Sequence, residues 1–259
     1  MTNPHPIAPA GTCANCDTAL SGAFCHRCGQ RGEIHALTLP HLLHEIPHAI
    51  FHVDRGLLVT IRALALRPGR TINAYLDGHR IRYFNPLSML VLLAGLCALA
   101  YSKFPFDFSP MAAGLPAEEA ARTTAFVKSL MVNYSLGLMV QLPIIALISW
   151  LIMGRHRSYG EHLAINAFIF AFMCVINLAW MPIHMITNGG AWMSSALFAS
   201  GVLFMVYQVF ALWDTFRTPE RRFGALLRAL VTVGGYMSIP LLAGFVAGIL
   251  MMMHAGGKP

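Results

Sequence analysis

Four long stretches of the chain contain no charged side chain, and their lengths predict membrane-spanning helices. The stretches lie between Arg82 and Lys103, between Lys128 and Arg155, between Glu161 and Asp214 and between Arg228 and Lys258. A helix needs roughly 20 apolar residues to cross about 30 Å of hydrocarbon, so the third stretch is long enough for two helices. Its predicted break is the turn-forming sequence Asn188-Gly189-Gly190. The pattern therefore predicts five spans, at about residues 83–102, 131–153, 163–187, 192–213 and 229–253.

The composition agrees with a chain that is part polar and part membrane-embedded. Of the 259 residues, 56% are hydrophobic and only 11% are charged, whereas soluble domains carry roughly 25% charged residues. A soluble enzyme, a disordered chain and a secreted disulfide scaffold are therefore excluded. The predicted fold class is an all-α integral membrane protein, in which residues 83–259 form the transmembrane domain.

Basic residues are distributed unequally between the two sides of the predicted spans. Of the 18 lysines and arginines, 14 lie before the first span, between the second and third, or between the fourth and fifth. Cytoplasmic loops carry the excess of Lys and Arg in membrane proteins. We therefore expect a cytoplasmic N-terminus and an external C-terminus.

The strongest local motif is a pair of Cys-x-x-Cys sequences, Cys13/Cys16 and Cys25/Cys28, separated by eight residues. Four thiolates at this spacing suit one tetrahedral zinc ion in a closed structural site. Metal binding would also stabilise a module that is too short to have a core. Two disulfides or a redox dithiol are the alternatives, but disulfides are rare in the cytosol and no βαβ pattern accompanies the motif. We predict a zinc ribbon within residues 1–34, with one structural zinc ion.

Residues 35–82 are predicted to form amphipathic helices at the cytoplasmic surface of the membrane. Apolar side chains recur at helical spacing from Leu42 to Leu64, and histidines and arginines occupy the opposite face. A basic amphipathic segment of this kind is typical of interfacial helices. Four arginines near the first span could contact anionic lipid headgroups or only anchor helix ends. They are Arg67, Arg70, Arg80 and Arg82.

Three histidines of this segment, His44, His48 and His52, follow one another at intervals of four residues. The spacing would allow a second metal site or a pH sensor. It is also typical of the polar face of an interfacial helix, and no clear carboxylate partner defines a ligand geometry. The polar-face interpretation is favoured.

The predicted spans contain no Asp, Glu, Lys or Arg, although ionisable residues usually mark a coupled transporter. Their distinctive polar residues are Gln141 in the second span and Asn166, Asn177 and His184 on one face of the third. These side chains could line a polar pocket between the two spans. They could instead form hydrogen bonds that hold the helices together, and this structural role is favoured.

The motifs also have a recognisable order. Two cysteine pairs ending in Gly29-Gln30 precede the three histidines, Asp54-Arg55-Gly56, Arg67-Pro68-Gly69 and the run from Tyr75 to Pro86. This order resembles an uncharacterised bacterial family of multi-pass membrane proteins with an N-terminal zinc ribbon, a domain of unknown function. The resemblance covers about residues 13–90 in motifs and only hydropathy beyond them. Asp17 stands where the first knuckle of the family often has glycine. The resemblance implies a bacterial inner-membrane location and supplies no activity.

No nucleophile–base pair, catalytic carboxylate pair or phosphate-binding glycine loop occurs in the sequence, so no catalytic residue is predicted. We expect a non-enzymatic scaffold or regulator whose zinc ribbon and basic helices recruit a protein partner or anionic lipid. One alternative is a small-solute permease or lipid translocase that uses the polar face of spans two and three. Another is a membrane enzyme with a second metal at the histidines. The Gly244-x-x-x-Gly248 motif is compatible with a homo-oligomer. Nucleic acid is not an expected partner, because the basic residues cluster beside the spans.

Overall fold

A computed structural model of the protein describes residues 11–34, 37, 56–104 and 106–236. In this part of the chain, secondary structure consists of helices and two isolated β-bridges. The helices are α1 (Gly56–Leu66), α2 (Pro68–Leu76), α3 (Pro86–Lys103), α4 (Ala117–Met153), α5 (Tyr159–Ile186) and α6 (Met193–Phe216), with a 3-10 turn at Ser109–Ala112. A further helix, α7, covers residues 222–236, where the described part ends.

Four of these helices are long and apolar enough to cross a membrane, namely α3, the Leu136–Met153 part of α4, α5 and α6. They overlap the first four predicted spans. The long apolar run is divided where the sequence predicts, since α5 ends at Ile186 and α6 begins at Met193. The fifth predicted span lies only partly within the described residues, in α7. Four apolar helices indicate a membrane protein.

The second span begins differently from the prediction. We expected a short separate helix from about residue 116 and a span from residue 131, but one continuous helix of 37 residues covers both. Glu118 and Glu119 lie in its first turn, where carboxylates favour the positive end of the helix dipole. At about 1.5 Å per residue the helix is about 55 Å long. Its charged first turns therefore extend well beyond the length that a membrane core needs.

Helix α5 is the centre of the bundle and packs against α3, α4 and α6. Ile165 and Phe168 in its first half are fully buried. A capping box begins the helix: Ser158 Oγ accepts the Glu161 N–H, and the Glu161 carboxylate accepts the Ser158 N–H. With this cap, α5 begins at Tyr159, four residues before the predicted start of the third span.

Helices α1 and α2 pack against the bundle, α1 on α5 and α2 on α5 and α6. Leu57, Thr60 and Leu64 of α1 are buried. The described part of the predicted apolar stripe therefore faces the protein. Leu58 and Leu66, on another side of the same helix, are 73% and 67% exposed. Helix α1 thus has apolar residues on two sides, and the protein covers only one of them.

Helix α2 is held at the end of α6 by direct backbone contact. The Gly69 N–H donates to Asp214 Oδ2 at 2.8 Å, and Asn73 Nδ2 donates to the Thr215 carbonyl at 3.0 Å. A β-carbon at Gly69 would lie only 2.2 Å from the Asp214 carbonyl, so the close approach requires glycine. Asp214 also forms an ion pair with Arg217 at 2.7 Å.

Arg157, between α4 and α5, ties the same region together. Its guanidinium is 3.0 Å from Asn73 Oδ1, 3.1 Å from the Glu161 carboxylate and 3.9 Å from the Asp77 carboxylate. The ends of α2 and α6 therefore meet the start of α5 at one end of the bundle. We call this end, where α3 and α5 begin and α4 and α6 end, the basic end.

Candidate metal centre

The cysteine module, residues 11–34, consists of two similar turns that each carry one Cys-x-x-Cys pair. In the first turn the Cys13 N–H donates to the Thr18 carbonyl at 2.9 Å. In the second turn the Cys25 N–H donates to the Gln30 carbonyl at 2.8 Å. One antiparallel bridge closes each turn. Each pair of cysteines is therefore held by its own local turn.

The residue after each pair has a left-handed backbone conformation, with φ of 56° at Asp17 and 76° at Gly29. The Asp17 N–H donates to the Cys13 carbonyl and the Gly29 N–H to the Cys25 carbonyl, both at 2.9 Å. Asp and Asn adopt this conformation more readily than most other residues with a side chain. Asp17 therefore makes the same turn as Gly29, at some cost in strain.

The four Sγ atoms of the module lie within 4.8 Å of one another. The Cys13–Cys28 distance is 3.5 Å, and Cys16 Sγ lies 3.6 Å from the sulfurs of both Cys25 and Cys28. Tetrahedral zinc with Zn–S bonds of about 2.3 Å places its sulfurs about 3.8 Å apart. The cluster therefore has the dimensions of a site for a single metal ion, and all four predicted ligands are together.

The surroundings of the sulfurs differ. The Thr18 hydroxyl, 3.3 Å from Cys16 Sγ, lowers the pKa of Cys16 to about 6, because its hydrogen bond stabilises the thiolate. Burial raises the pKa of Cys13 to about 11. A bound cation would favour the thiolate at both positions. Thr18 is therefore an additional residue that would support a metal at this centre.

Gln30 joins the cysteine module to the bundle. Its Nε2 donates to the Gly78 carbonyl at 2.8 Å, and its Oε1 accepts from the Ile81 N–H at 3.4 Å. The side chain is only 5% exposed. Gly78, which has a φ of 109°, belongs to the connection between α2 and α3. The sequence motif contains Gln30, but its spacing does not reveal this docking role.

The other residues predicted near the membrane surface are four arginines and three histidines. Arg67, Arg70 and Arg82 are exposed and Arg80 is half-buried. The Arg82 guanidinium lies 5.7 Å from the centre of the Tyr83 ring. The histidines proposed as a second metal site lie outside the described residues: His44, His48 and His52.

Two of the polar residues predicted on the third span are joined through Tyr101 of α3. The Tyr101 hydroxyl donates to Asn177 Oδ1 at 2.7 Å and lies 2.9 Å from His184 Nδ1. All three side chains are buried. Tyr101 was not among the predicted polar residues, and its only signal in the sequence is a hydroxyl near the end of an apolar run.

Asn166 belongs to a separate group at the other end of α5. Its Nδ2 donates to the His162 carbonyl and its Oδ1 accepts from the Tyr236 hydroxyl, each at 2.8 Å. Ser149 Oγ lies 2.8 Å from His162 Nδ1. Within the described residues, no hydrogen bond joins Gln141 to either group. The predicted polar face is thus two local networks between helices.

These features define a helical membrane-type protein with a four-cysteine module docked on its bundle. Residues 54–97 match the model of a family described as Protein of unknown function (DUF3667). The matched segment contains α1, α2 and most of α3, including the contact of Gly69 with α6 and the Gly78 carbonyl that binds Gln30. Comparisons with curated proteins and with solved structures gave no match. The match agrees with the expected domain of unknown function over this part of the chain.

Proposed function

We propose that the protein is a non-enzymatic membrane scaffold whose cysteine module binds one structural zinc ion and recruits a protein partner to the membrane surface. The clustering of the four sulfurs within 4.8 Å carries this proposal. A single ion suits these distances, and soft thiolate ligands in a tetrahedral arrangement favour zinc. A site with four protein ligands has no open position for a reacting water. The zinc therefore supports folding rather than catalysis.

The docking of the module supports a role in recruitment. Gln30 follows the second cysteine pair and is bonded to the connection between α2 and α3. Phe24 and Arg31 lie on the same module, with Phe24 56% exposed and the guanidinium 5.6 Å from its ring centre. Exposed aromatic and arginine side chains are common anchors of protein interfaces. The module thus offers a surface to a partner while the bundle fixes its position.

The charge distribution supports a cytoplasmic location for this module. Described arginines at the basic end, outside α1 and α2, include Arg155, Arg157, Arg217, Arg221 and Arg222. The guanidinium of Arg155 stacks on Trp150 at 4.8 Å, and that of Arg217 stacks on Trp213 at 4.7 Å. Trp and basic residues mark the membrane interface, and basic loops remain in the cytoplasm. The cytosol would keep the cysteines reduced and able to bind metal. The order of the sequence motifs resembles that of a bacterial family, and this resemblance implies that the membrane is the bacterial inner membrane.

The permease alternative has less support. A transport pathway needs polar groups that are free to meet a solute, but Asn166 and Asn177 are hydrogen-bonded to Tyr236 and Tyr101. Such pairing is typical of contacts that hold helices together.

The scaffold proposal is tested with the double variant C13S/C16S, because serine is a poor zinc ligand. The matched control is Cys174→Ala, which changes a buried cysteine of α5 that is not part of the cluster. Tagged proteins are cross-linked in membranes and purified, and both metal content and co-purified proteins are measured. We expect the control to keep one zinc and the partner of the wild type, and the double variant to lose both while it still inserts. Full partner recovery by the zinc-free variant would contradict the proposal.

A further inference from the structure

Helix α1 and the start of α2 present apolar side chains and arginines on one surface. Leu58, Arg62 and Leu66 follow at intervals of four residues, so they lie on one face of α1. All three are exposed, and so is Val59, which follows Leu58 in the same helix. Arg67, which joins α1 to α2, and Arg70 in the first turn of α2 are also exposed. Packing against the bundle uses other residues of α1, so folding does not explain why this face is apolar.

The contacts of α1 place this surface beside the apolar helices. The Tyr207 hydroxyl of α6 donates to the Leu64 carbonyl at 3.3 Å. Tyr207 precedes the last residue of α6 by nine positions, or about 13 Å along the helix axis. Thr60 Oγ1 accepts the Phe84 N–H, two residues before α3 begins. The helix therefore lies beside the last turns of α6 and the start of α3 at the basic end, and its uncovered side faces the surroundings of the bundle.

The charge of this segment has one sign. Residues 56–82 contain five arginines and a single carboxylate, Asp77. Asp77 lies 3.9 Å from the Arg157 guanidinium. Within the described part of the chain, Arg62, Arg67 and Arg70 form no ion pair. The planar guanidinium group binds two phosphate oxygens at once, in a bidentate geometry.

We propose that the α1 surface, formed by Leu58, Val59, Arg62, Leu66, Arg67 and Arg70, binds anionic phospholipids in the leaflet at the basic end. The apolar side chains enter the acyl region and the arginines bind the phosphates. An amphipathic helix at this depth has the architecture of an interfacial lipid-binding helix. The inference rests on the membrane location in the proposed function and is independent of zinc and of a protein partner.

The test uses the full chain in nanodiscs of equal parts phosphatidylglycerol and phosphatidylcholine. Native mass spectrometry counts the lipids that each chain retains. The variant R62Q/R67Q/R70Q is compared with R221Q/R222Q/R228Q, which removes the same charge from exposed positions near the same end of the bundle. Each arginine near an anionic surface contributes about fivefold in affinity. We expect the first variant to lose roughly 100-fold in preference for phosphatidylglycerol, and the control to retain most of it.

Equal losses in the two variants would show that any basic residue at this end suffices, and would overturn a specific α1 surface. A retained protein or a second copy on the wild-type chain, in place of lipid, would overturn it as well.

Leu58→Asp tests the depth of the helix, with Leu58→Ala as its control. A carboxylate among acyl chains is costly, so the aspartate variant is expected to unfold at a lower temperature in nanodiscs. Equal stability of the two variants would place Leu58 in water and contradict the proposal.

Discussion

Replacing Gly69 with alanine would disrupt the contact that holds α2 on the bundle. The added β-carbon would lie 2.2 Å from the carbonyl carbon and oxygen of Asp214 and 2.6 Å from the amide nitrogen of Thr215. Favourable contacts between such atoms are about 3.5–4.0 Å long. The two helices must therefore separate by about 1 Å or more, because backbone atoms cannot rotate away as side chains can.

The energetic cost can be worked from this geometry. Overpacking of a tight contact costs about 1–3 kcal/mol. Separation would also weaken the hydrogen bond of 2.8 Å from the Gly69 N–H to the Asp214 carboxylate, and bonds to charged groups contribute about 1.5–3 kcal/mol. Alanine recovers at most about 1 kcal/mol of helix propensity. We expect Gly69→Ala to lower the free energy of unfolding by about 3 kcal/mol.

Thermal unfolding in mild detergent measures this loss. The matched control is Gly95→Ala in α3, where a β-carbon would meet no atom within 4 Å. Both substitutions replace a helical glycine, so they share the gain in propensity. If Gly69→Ala unfolds at the same temperature as Gly95→Ala, the close approach of α2 and α6 does not exist and the account of this end of the bundle is wrong.

Three further predictions concern the cysteine module and the bundle. Gly29→Ala should destabilise the folded cysteine module by about 1 kcal/mol, because Gly29 has a φ of 76°, and Asp17→Gly should stabilise it by a similar amount. Chelator titration should find that the Gly29 variant holds zinc most weakly and the Asp17 variant most strongly, and the reverse order would refute the argument. Tyr101→Phe removes the donor to Asn177 and should lower the unfolding free energy by about 1–3 kcal/mol; unchanged thermal stability would contradict a structural role for that bond. Zinc affinity should fall as the pH is lowered. Because the pKa of Cys13 is raised to about 11, Cys13 is a thiol at neutral pH, and the metal must displace its proton to bind. Isothermal titration calorimetry that finds constant affinity between about pH 6 and pH 8 would rule this out.

Hydropathy locates the apolar helices because it is a local property of the chain. The predicted fourth span, which begins at residue 192, is matched by α6 beginning at Met193. The start of α4 was not predictable in the same way, since its first turns carry charged side chains while the helix continues unbroken. Helix ends depend on caps such as Ser158, which a search for apolar stretches does not detect.

The cysteine cluster was predictable for a related reason. Each pair is held by a turn of a few residues, so spacing alone indicates that the sulfurs can converge. The contact of Gly69 with Asp214 joins residues 145 positions apart, and that of Tyr101 with Asn177 spans 76 positions. No local pattern encodes such pairs. Periodicity likewise does not reveal whether an apolar stripe, such as that of α1, faces protein or lipid.

The metal content of the intact protein tests the central claim most directly. Wild-type chain and the C13S/C16S variant are extracted without chelators and measured by native mass spectrometry and elemental analysis. We predict one zinc ion per wild-type chain and none in the variant, with both proteins inserted in the membrane. A wild-type chain that carries no metal, or a variant that keeps its zinc, would contradict the account of the four-cysteine module.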